Sequence, residues 1–453
     1  MWKKWQNTLL LVGKNWRFCR RSLLRRSVVD DLIRWKNSSD RKPLVLKGAR
    51  QVGKTWLMRH FGKEFYQNYV YFNFDEDVEI KSVFETNKDP QRIIQRLSLI
   101  AGQVINPEKT LIVFDEIQES SAALNSLKYF NEKAKEYHVI AAGSLLGTLL
   151  AAPQSYPVGQ VNLLDVQPMK FDEFLAATDE NLYSFYSSVQ KGDVVESVFH
   201  TRLSEAYDTY LIVGGMPECV ASWSEKKDAK ALGRIQKELI SLYENDFAKH
   251  NSRINSGRIL MVFRSLVSQL AKRNEKFIYS AVKESGRARD FEEAIEWLVS
   301  AGIVNRVFNV SKAEHPLPAF DELNCFKLFM FDTGLLKNMA GIDNFSILTK
   351  SDFQFKGALV ENYVLQQLRD VFDIEPRYFA TKSGEIDFIV QSGSEIIPIE
   401  VKAGEDRNSV SFKNYVKKYS PLHAIRFSRK GYLKNGAITN IPLYFAGKIK
   451  ELM

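Results

Sequence analysis

Pro43-Leu44-Val45-Leu46-Lys47-Gly48-Ala49-Arg50-Gln51-Val52-Gly53-Lys54-Thr55-Trp56-Leu57-Met58-Arg59-His60-Phe61 is the stretch on which the fold of this chain turns. A short apolar run of strand character leads into a G-x4-G-K-T loop, and a helical segment follows at once. Strand, loop and helix in that order are the context a phosphate-binding loop requires. Gly48 and Gly53 let the backbone N–H groups of Ala49, Arg50, Gln51 and Val52 turn inward around phosphate oxygens, which the helix N-terminus also favours. In this arrangement Lys54 reaches the β- and γ-phosphates, and the Thr55 hydroxyl is a ligand for Mg²⁺. The bare pattern arises by chance in about one or two chains per hundred of this length. Its flanking elements make it specific.

Such a loop needs an acidic partner at the end of another strand. Thr110-Leu111-Ile112-Val113-Phe114 is a β-rich apolar run ending in Asp115-Glu116, 61 residues beyond Lys54. Asp115 would order the Mg²⁺ shell, and Glu116 would polarise the attacking water. A third apolar run, His138 to Ala142, ends at Gly143-Ser144. Ser144 has two readings, a γ-phosphate sensor on a neighbouring strand end or a plain turn serine.

These segments carry a resemblance. Lys47 to Thr55, Phe114-Asp115-Glu116-Ile117-Gln118, Ala142-Gly143-Ser144 and Gln167-Pro168-Met169-Lys170-Phe171-Asp172-Glu173-Phe174 are similar to a prokaryotic family of AAA-type ATP-binding proteins. In that family an ATPase core is fused to a poorly characterised C-terminal domain. The resemblance runs from about Leu24 to the end and implies ATP as the nucleotide. The chain departs from the family at Gly159-Gln160, where many members have a basic residue. An arginine-finger or sensor role is therefore not carried over to that position.

Beyond the core, Leu211-Ile212-Val213-Gly214-Gly215-Met216-Pro217 reads as a turn between helices and is similar to the Gly-Gly-Met/Phe-Pro element of the same family. Asp228 to Leu270 has an amphipathic helical pattern. Ser256 to Val310 runs helix, short extended segment, two helices and a hairpin-prone strand, an order that suits a winged helix. Lys283, Arg287 and Arg289 then fall near the recognition helix and point to DNA contact. Because the local charge is mixed, a protein-docking or spacer module fits equally well. Arg258 and Arg264 can complete a nucleotide site in trans in a homo-oligomer, or simply lie on a solvated helix face.

The last third carries a second constellation. Gly384 to Val390 and Glu395 to Lys402 are two strands, with Ser392-Gly393 in the turn between them. Alternation puts Glu400 and Lys402 on one face of the second strand, with Asp387 on its partner. The helical stretch Gly357 to Leu368 brings Glu361. This order resembles the PD-(D/E)xK nuclease fold, with Ile386-Asp387 in place of Pro-Asp. The implied chemistry is Mg²⁺ or Mn²⁺ held by Glu361, Asp387 and Glu400, with a water activated against phosphate beside Lys402. Glu-x-Lys alone is weak, since it recurs at Glu79–Lys81 and Glu225–Lys227 without a hairpin. A structural ion-pair network is the competing reading of the same residues.

Composition sets the outer limits. The 453 residues are 45% hydrophobic and 26% charged, which excludes collagen-like, disulfide-stapled and wholly disordered chains. The formal charge is +9, and residues 1–29 hold eight basic residues and no acidic one. The basic character is thus largely that of the tail, and it does not argue for nucleic-acid binding by the body. Trp2, Trp5, Leu9, Val12, Trp16, Cys19 and Leu23 form a helical-period stripe. The stripe suits membrane-surface docking, packing on the chain's own body or an upstream extension. Three scattered cysteines and six histidines without ligand spacing suggest a reducing cytoplasm and no zinc site.

The expected fold is α/β multidomain. A basic amphipathic extension occupies 1–29, a parallel-sheet P-loop AAA core 30–180 and a helical lid or linker 181–255. A winged-helix-like domain follows over 256–320, then a mixed α/β nuclease-like domain over 321–453. The functional expectation is an ATP hydrolase whose nucleotide state controls a nuclease-like domain acting on nucleic acid. Its rivals are an ATP-dependent adaptor with a catalytically silent C-terminal domain and a membrane-peripheral ATPase.

Overall fold

The computed structural model describes residues 24–143, 159–249, 253–272, 276–349, 355–381, 384–404 and 410–453. Five strands, β1 (Leu44–Lys47), β2 (Asn68–Asn73), β3 (Thr110–Asp115), β4 (His138–Ala142) and β5 (Asn162–Asp165), form a wholly parallel sheet in the order β2-β3-β4-β1-β5. Parallel strands need crossovers that cover both faces, so the central strands are apolar throughout. Leu44 and Leu46, Leu111 and Val113, and Ile140 and Ala142 pack into one core. The intervening Val45, Ile112, Phe114, Val139 and Ala141 pack into a second core on the other face. The carboxyl ends of β1 and β3 deliver Gly48 and Asp115 to one edge of this sheet, where open α/β folds bind ligands.

The other sheet has eight strands: β6 (Val304–Val310), β7 (Asp321–Met330), β8 (Arg377–Thr381), β9 (Gly384–Ser392), β10 (Glu395–Val401), β11 (Ala424–Ser428), β12 (Leu433–Asn435) and β13 (Ile438–Pro442). Their order is β12-β13-β11-β10-β9-β8-β6-β7. The β9–β10 hairpin expected from Ser392-Gly393 is antiparallel, and β10 to β11 is a parallel crossover over the helix Val410–Tyr419.

Two features depart from the sequence-based layout. Helices Arg253–Ala271 and Ala288–Ser300 precede the β6–β7 hairpin, but a three-residue 3-10 turn, Tyr279–Ala281, stands where the expected winged-helix order has a further helix, and β6 also pairs with β8. The hairpin therefore spans position 320, where a boundary was expected, and forms the edge of the C-terminal sheet. The basic stretch before residue 30 also enters the fold. Arg26 is only 6% exposed and donates to the carbonyls of Val52, at 2.8 Å, and Gln167, at 2.6 Å, while its Nε lies 3.3 Å from Glu173. The apolar stripe from Trp2 to Leu23 and the sensor candidate Ser144 lie outside the described residues. One hydrophobic core runs from Val28 through the helices of the middle region to Leu452. Among the described residues no helix is long and apolar enough to cross a membrane.

Candidate functional site

Backbone geometry builds the phosphate-binding loop first. Gly48 has φ +139°, and a Cβ there would stand 2.2 Å from the carbonyl oxygen of Val166, so only glycine fits. Gly53, at φ +95°, precedes the helix Lys54–Phe65, which is anchored by Leu57, Met58 and Phe61 in the core. Lys54 is nearly buried, and its ammonium donates to the carbonyls of Gly48 at 2.7 Å and Ala49 at 2.8 Å. Burial lowers its pKa to about 8, with Glu116 and Asp115 opposing that shift.

Asp115 meets the loop from the end of β3. Its Oδ2 accepts from the Thr55 hydroxyl at 2.7 Å and from the Tyr71 hydroxyl at 2.8 Å, and its Oδ1 accepts from the Glu116 N–H at 3.1 Å. Glu116 sits at φ +49°, and its Oε2 accepts from Gln118 Nε2 at 2.5 Å. A hydroxyl and a carboxylate in contact are the hard oxygen donors that suit Mg²⁺, so Thr55 and Asp115 would hold it. Tyr71 is a residue that sequence reasoning missed. Its only signal is alternation on β2, which gives it the same face as Asn73. The Arg59 guanidinium stacks on the Tyr71 ring 3.9 Å from its centroid.

The loop is also held from outside the core. Arg50 Nε lies 2.8 Å from Asp246 Oδ2, and the Tyr243 hydroxyl donates to the Arg50 carbonyl at 2.6 Å. Both partners lie on the helix Ala229–Lys249. Arg264, a candidate for action in trans, makes a two-pronged pair with Glu244 at 2.8 and 3.0 Å.

The Gly-Gly-Met-Pro turn is a junction. The Gly215 N–H donates to Asp332 Oδ2 at 2.6 Å, and the Gly215 carbonyl accepts from the Met169 N–H at 2.7 Å. Gly214 has φ +75°, and a Cβ there would lie 2.4 Å from Asp332 Oδ1. Asp332 is fully buried. Burial raises its pKa, and the N–H groups of Gly215 and Leu335 work against that shift. Gln366 donates to the Tyr210 hydroxyl at 3.0 Å and accepts from the Thr333 N–H and hydroxyl at 3.0 and 2.7 Å. Gln367 accepts from the Phe171 N–H at 2.9 Å. Both glutamines lie on the helix Lys356–Leu368, which also carries Glu361.

The C-terminal constellation is brought together. Asp387 Oδ2 accepts from the Val401 N–H at 2.6 Å, Glu400 pairs with Lys402, and Glu361 faces Glu400 and Lys402. Burial, then Glu400 and Glu361, raise the Asp387 pKa well above the carboxylate range. Burial also raises that of Glu361, with Lys327 opposing it. Two members were missed in the sequence, Glu385 and Lys327, which pair with each other. Glu385 was legible as the neighbour of Asp387 at period two. Lys327 was legible only as a charge in the apolar run Phe326-Lys327-Leu328.

Glu400 Oε2 is buried without a hydrogen-bond partner, so the cluster keeps one open acceptor. Among the described residues, however, no three Asp, Glu, His or Cys side chains stand in an arrangement that can hold a metal ion. As the carboxylates stand, Glu385 is paired with Lys327 and Glu400 with Lys402, and no cradle of Glu361, Asp387 and Glu400 is formed.

Residues 40–175 match a family model described as an AAA domain. The loop geometry agrees with that match: the core is of the AAA/P-loop ATPase type. After the ATPase domain, residues 204–346 and 356–444 match two models described as domains of unknown function, DUF8612 and DUF4143. The uncharacterized protein MJ1544 of Methanocaldococcus jannaschii is 22% identical over 384 residues, 83% of this chain and 79% of its own. Among solved structures, the Walker-type ATPase paby2304 of Pyrococcus abyssi aligns with TM-score 0.45 and 15% identity, covering 71% of this chain and 99% of that one. The RuvB Holliday junction branch migration motor of Thermotoga maritima aligns with TM-score 0.29 and 13% identity, covering 62% and 88%.

Proposed function

We propose that this chain is a cytoplasmic ATP hydrolase whose nucleotide state is passed to a nuclease-like C-terminal domain that engages nucleic acid. Lys54 and the loop N–H groups bind the phosphates, Thr55 and Asp115 hold Mg²⁺, and Glu116 orients the water. When bound, Mg²⁺ neutralises charge that develops on the phosphates. The observation that carries the coupling is one helix with two commitments. Lys356–Leu368 presents Glu361 to the carboxylate–lysine cluster, and its Gln366 and Gln367 bond to Tyr210 and Phe171 beside the ATPase domain. The exposed Lys283, Arg287 and Arg289 on the segment before β6 are the proposed nucleic-acid contacts. Assembly into a homo-oligomer, with Arg258 or Arg264 acting in trans, is part of the same proposal.

A cleavage assay on supercoiled and linear DNA tests this reading, with Mg²⁺ or Mn²⁺, with and without ATP, beside Asp387→Ala. The expected result is cutting that responds to ATP and vanishes in the variant. The pairing of Glu385 and Glu400 with lysines favours a second reading, an ATP-dependent adaptor whose C-terminal domain binds without cutting. ATP hydrolysis without cleavage of any DNA or RNA substrate, together with a partner retained only in the ATP state, would select it.

A further inference from the structure

Lys327 is the one member of the C-terminal cluster that comes from outside residues 356–444. It lies on β7, opposite Val307 of β6, in the hairpin that precedes those residues. Its ammonium pairs with Glu385 and lies 4.9 Å from the centroid of the Tyr378 ring, whose hydroxyl is 3.4 Å from Cys325 Sγ. Cation–π contact and ion pairing together fix the charge in place. That charge also acts through space on Glu361 and Asp387. Lys402 answers Glu400 on the far side, and Glu400 Oε2 is left without a partner.

We propose that Lys327 is the built-in cation of this cluster, a positioning residue whose ammonium supplies, among Glu361, Glu385 and Asp387, the positive charge that a divalent ion would otherwise bring. Without nucleotide, cation binding is suppressed while Lys327 is in place. This rests on the reading of the cluster as the C-terminal site, and it explains why hard oxygen donors of the right type do not form a metal cradle here. An ammonium set among carboxylates offsets part of their mutual repulsion from within. Removing the ammonium leaves that repulsion for an added ion to relieve.

The test is Mn²⁺ alone, titrated into the full-length protein without nucleotide and followed by calorimetry and by the electron paramagnetic resonance of free Mn²⁺. Lys327→Met is expected to bind Mn²⁺ at least about tenfold more tightly than the parent. The gain should disappear when Asp387→Asn is added. Lys327→Arg, which keeps the charge, should bind as the parent does. Unchanged or weaker Mn²⁺ binding in Lys327→Met would overturn the inference, as would a gain in Lys327→Arg or a gain indifferent to Asp387. If the methionine variant does not fold, Lys327→Gln is read by the same criteria. Failure of the nuclease reading shows separately: no cleavage alongside an Asp387-dependent Mn²⁺ gain defeats that reading and leaves this inference standing.

Discussion

Asp115 and Glu400 are both buried carboxylates at or near the ends of strands with parallel neighbours, and they keep different company. Asp115 accepts from two neutral hydroxyls, those of Thr55 and Tyr71, whereas Glu400 pairs with the ammonium of Lys402. A hydroxyl orients a carboxylate without cancelling its charge, so the nucleotide site retains its demand for a cation. An ammonium meets that demand internally. On the proposed reading the two regions put the same residue types to opposite electrostatic ends, one open to an incoming ion and one holding its own ammonium.

The largest expected effect lies on the open side of that comparison. Lys54→Ala should lower MgATP turnover by about a thousandfold, measured as phosphate release, because the loop loses the ammonium proposed to meet the phosphates. Undiminished turnover would break the comparison outright. Next comes the junction between the regions. Asp332→Ala should cost about 3 kcal/mol in urea unfolding, since the buried N–H groups of Gly215 and Leu335 lose their acceptor. A change below about 0.5 kcal/mol would mean that the two regions are not joined there.

The pH response is smaller. Lys54 has a folded pKa of about 8 against 10.5 for the free side chain. Below the folded value both the folded and unfolded chains hold the proton, and between the two values the unfolded chain binds more protons. The nucleotide-free fold should therefore gain stability from this group as pH rises through about 8. Phosphate binding needs the protonated form, so ATP affinity should fall over the same range, by up to roughly tenfold at about pH 9. Lys54→Arg should remove this pH dependence, and a slope that persists in it would assign the effect elsewhere. The smallest effect is expected for Tyr71→Phe. It removes one of the two hydroxyl donors to Asp115 Oδ2 and should raise the Mg²⁺ concentration for half-maximal ATPase by about threefold, with the fold intact.

Legibility in the sequence follows the same division. The nucleotide site is contiguous where it matters: Gly48 to Thr55 is a single loop whose spacing is its mechanism, and Asp115 closes an unmistakable strand. Glu361, Asp387, Glu400 and Lys402 were likewise readable from a helix and a hairpin in order. What escaped was long-range. Arg26 beneath Val52, Tyr71 on Asp115, Asp332 under Gly215 and Lys327 among the carboxylates are joined to their sites only by the packing of distant elements. Each is an ordinary polar residue in an ordinary local pattern. The β6–β7 hairpin misled for a related reason, since local sequence shows a hairpin but not which sheet it completes.

That hairpin restricts how this protein can be taken apart, by experiment or by evolution. A fragment beginning at residue 356 would expose the free edge of β8 and surrender Lys327, while one ending near residue 346 would carry β6 and β7 without the strand that β6 joins. The two C-terminal segments are therefore expected to behave as one folding unit. Exchange between relatives should keep them together, and a recombinant that separates them should aggregate through its unpaired strand edge.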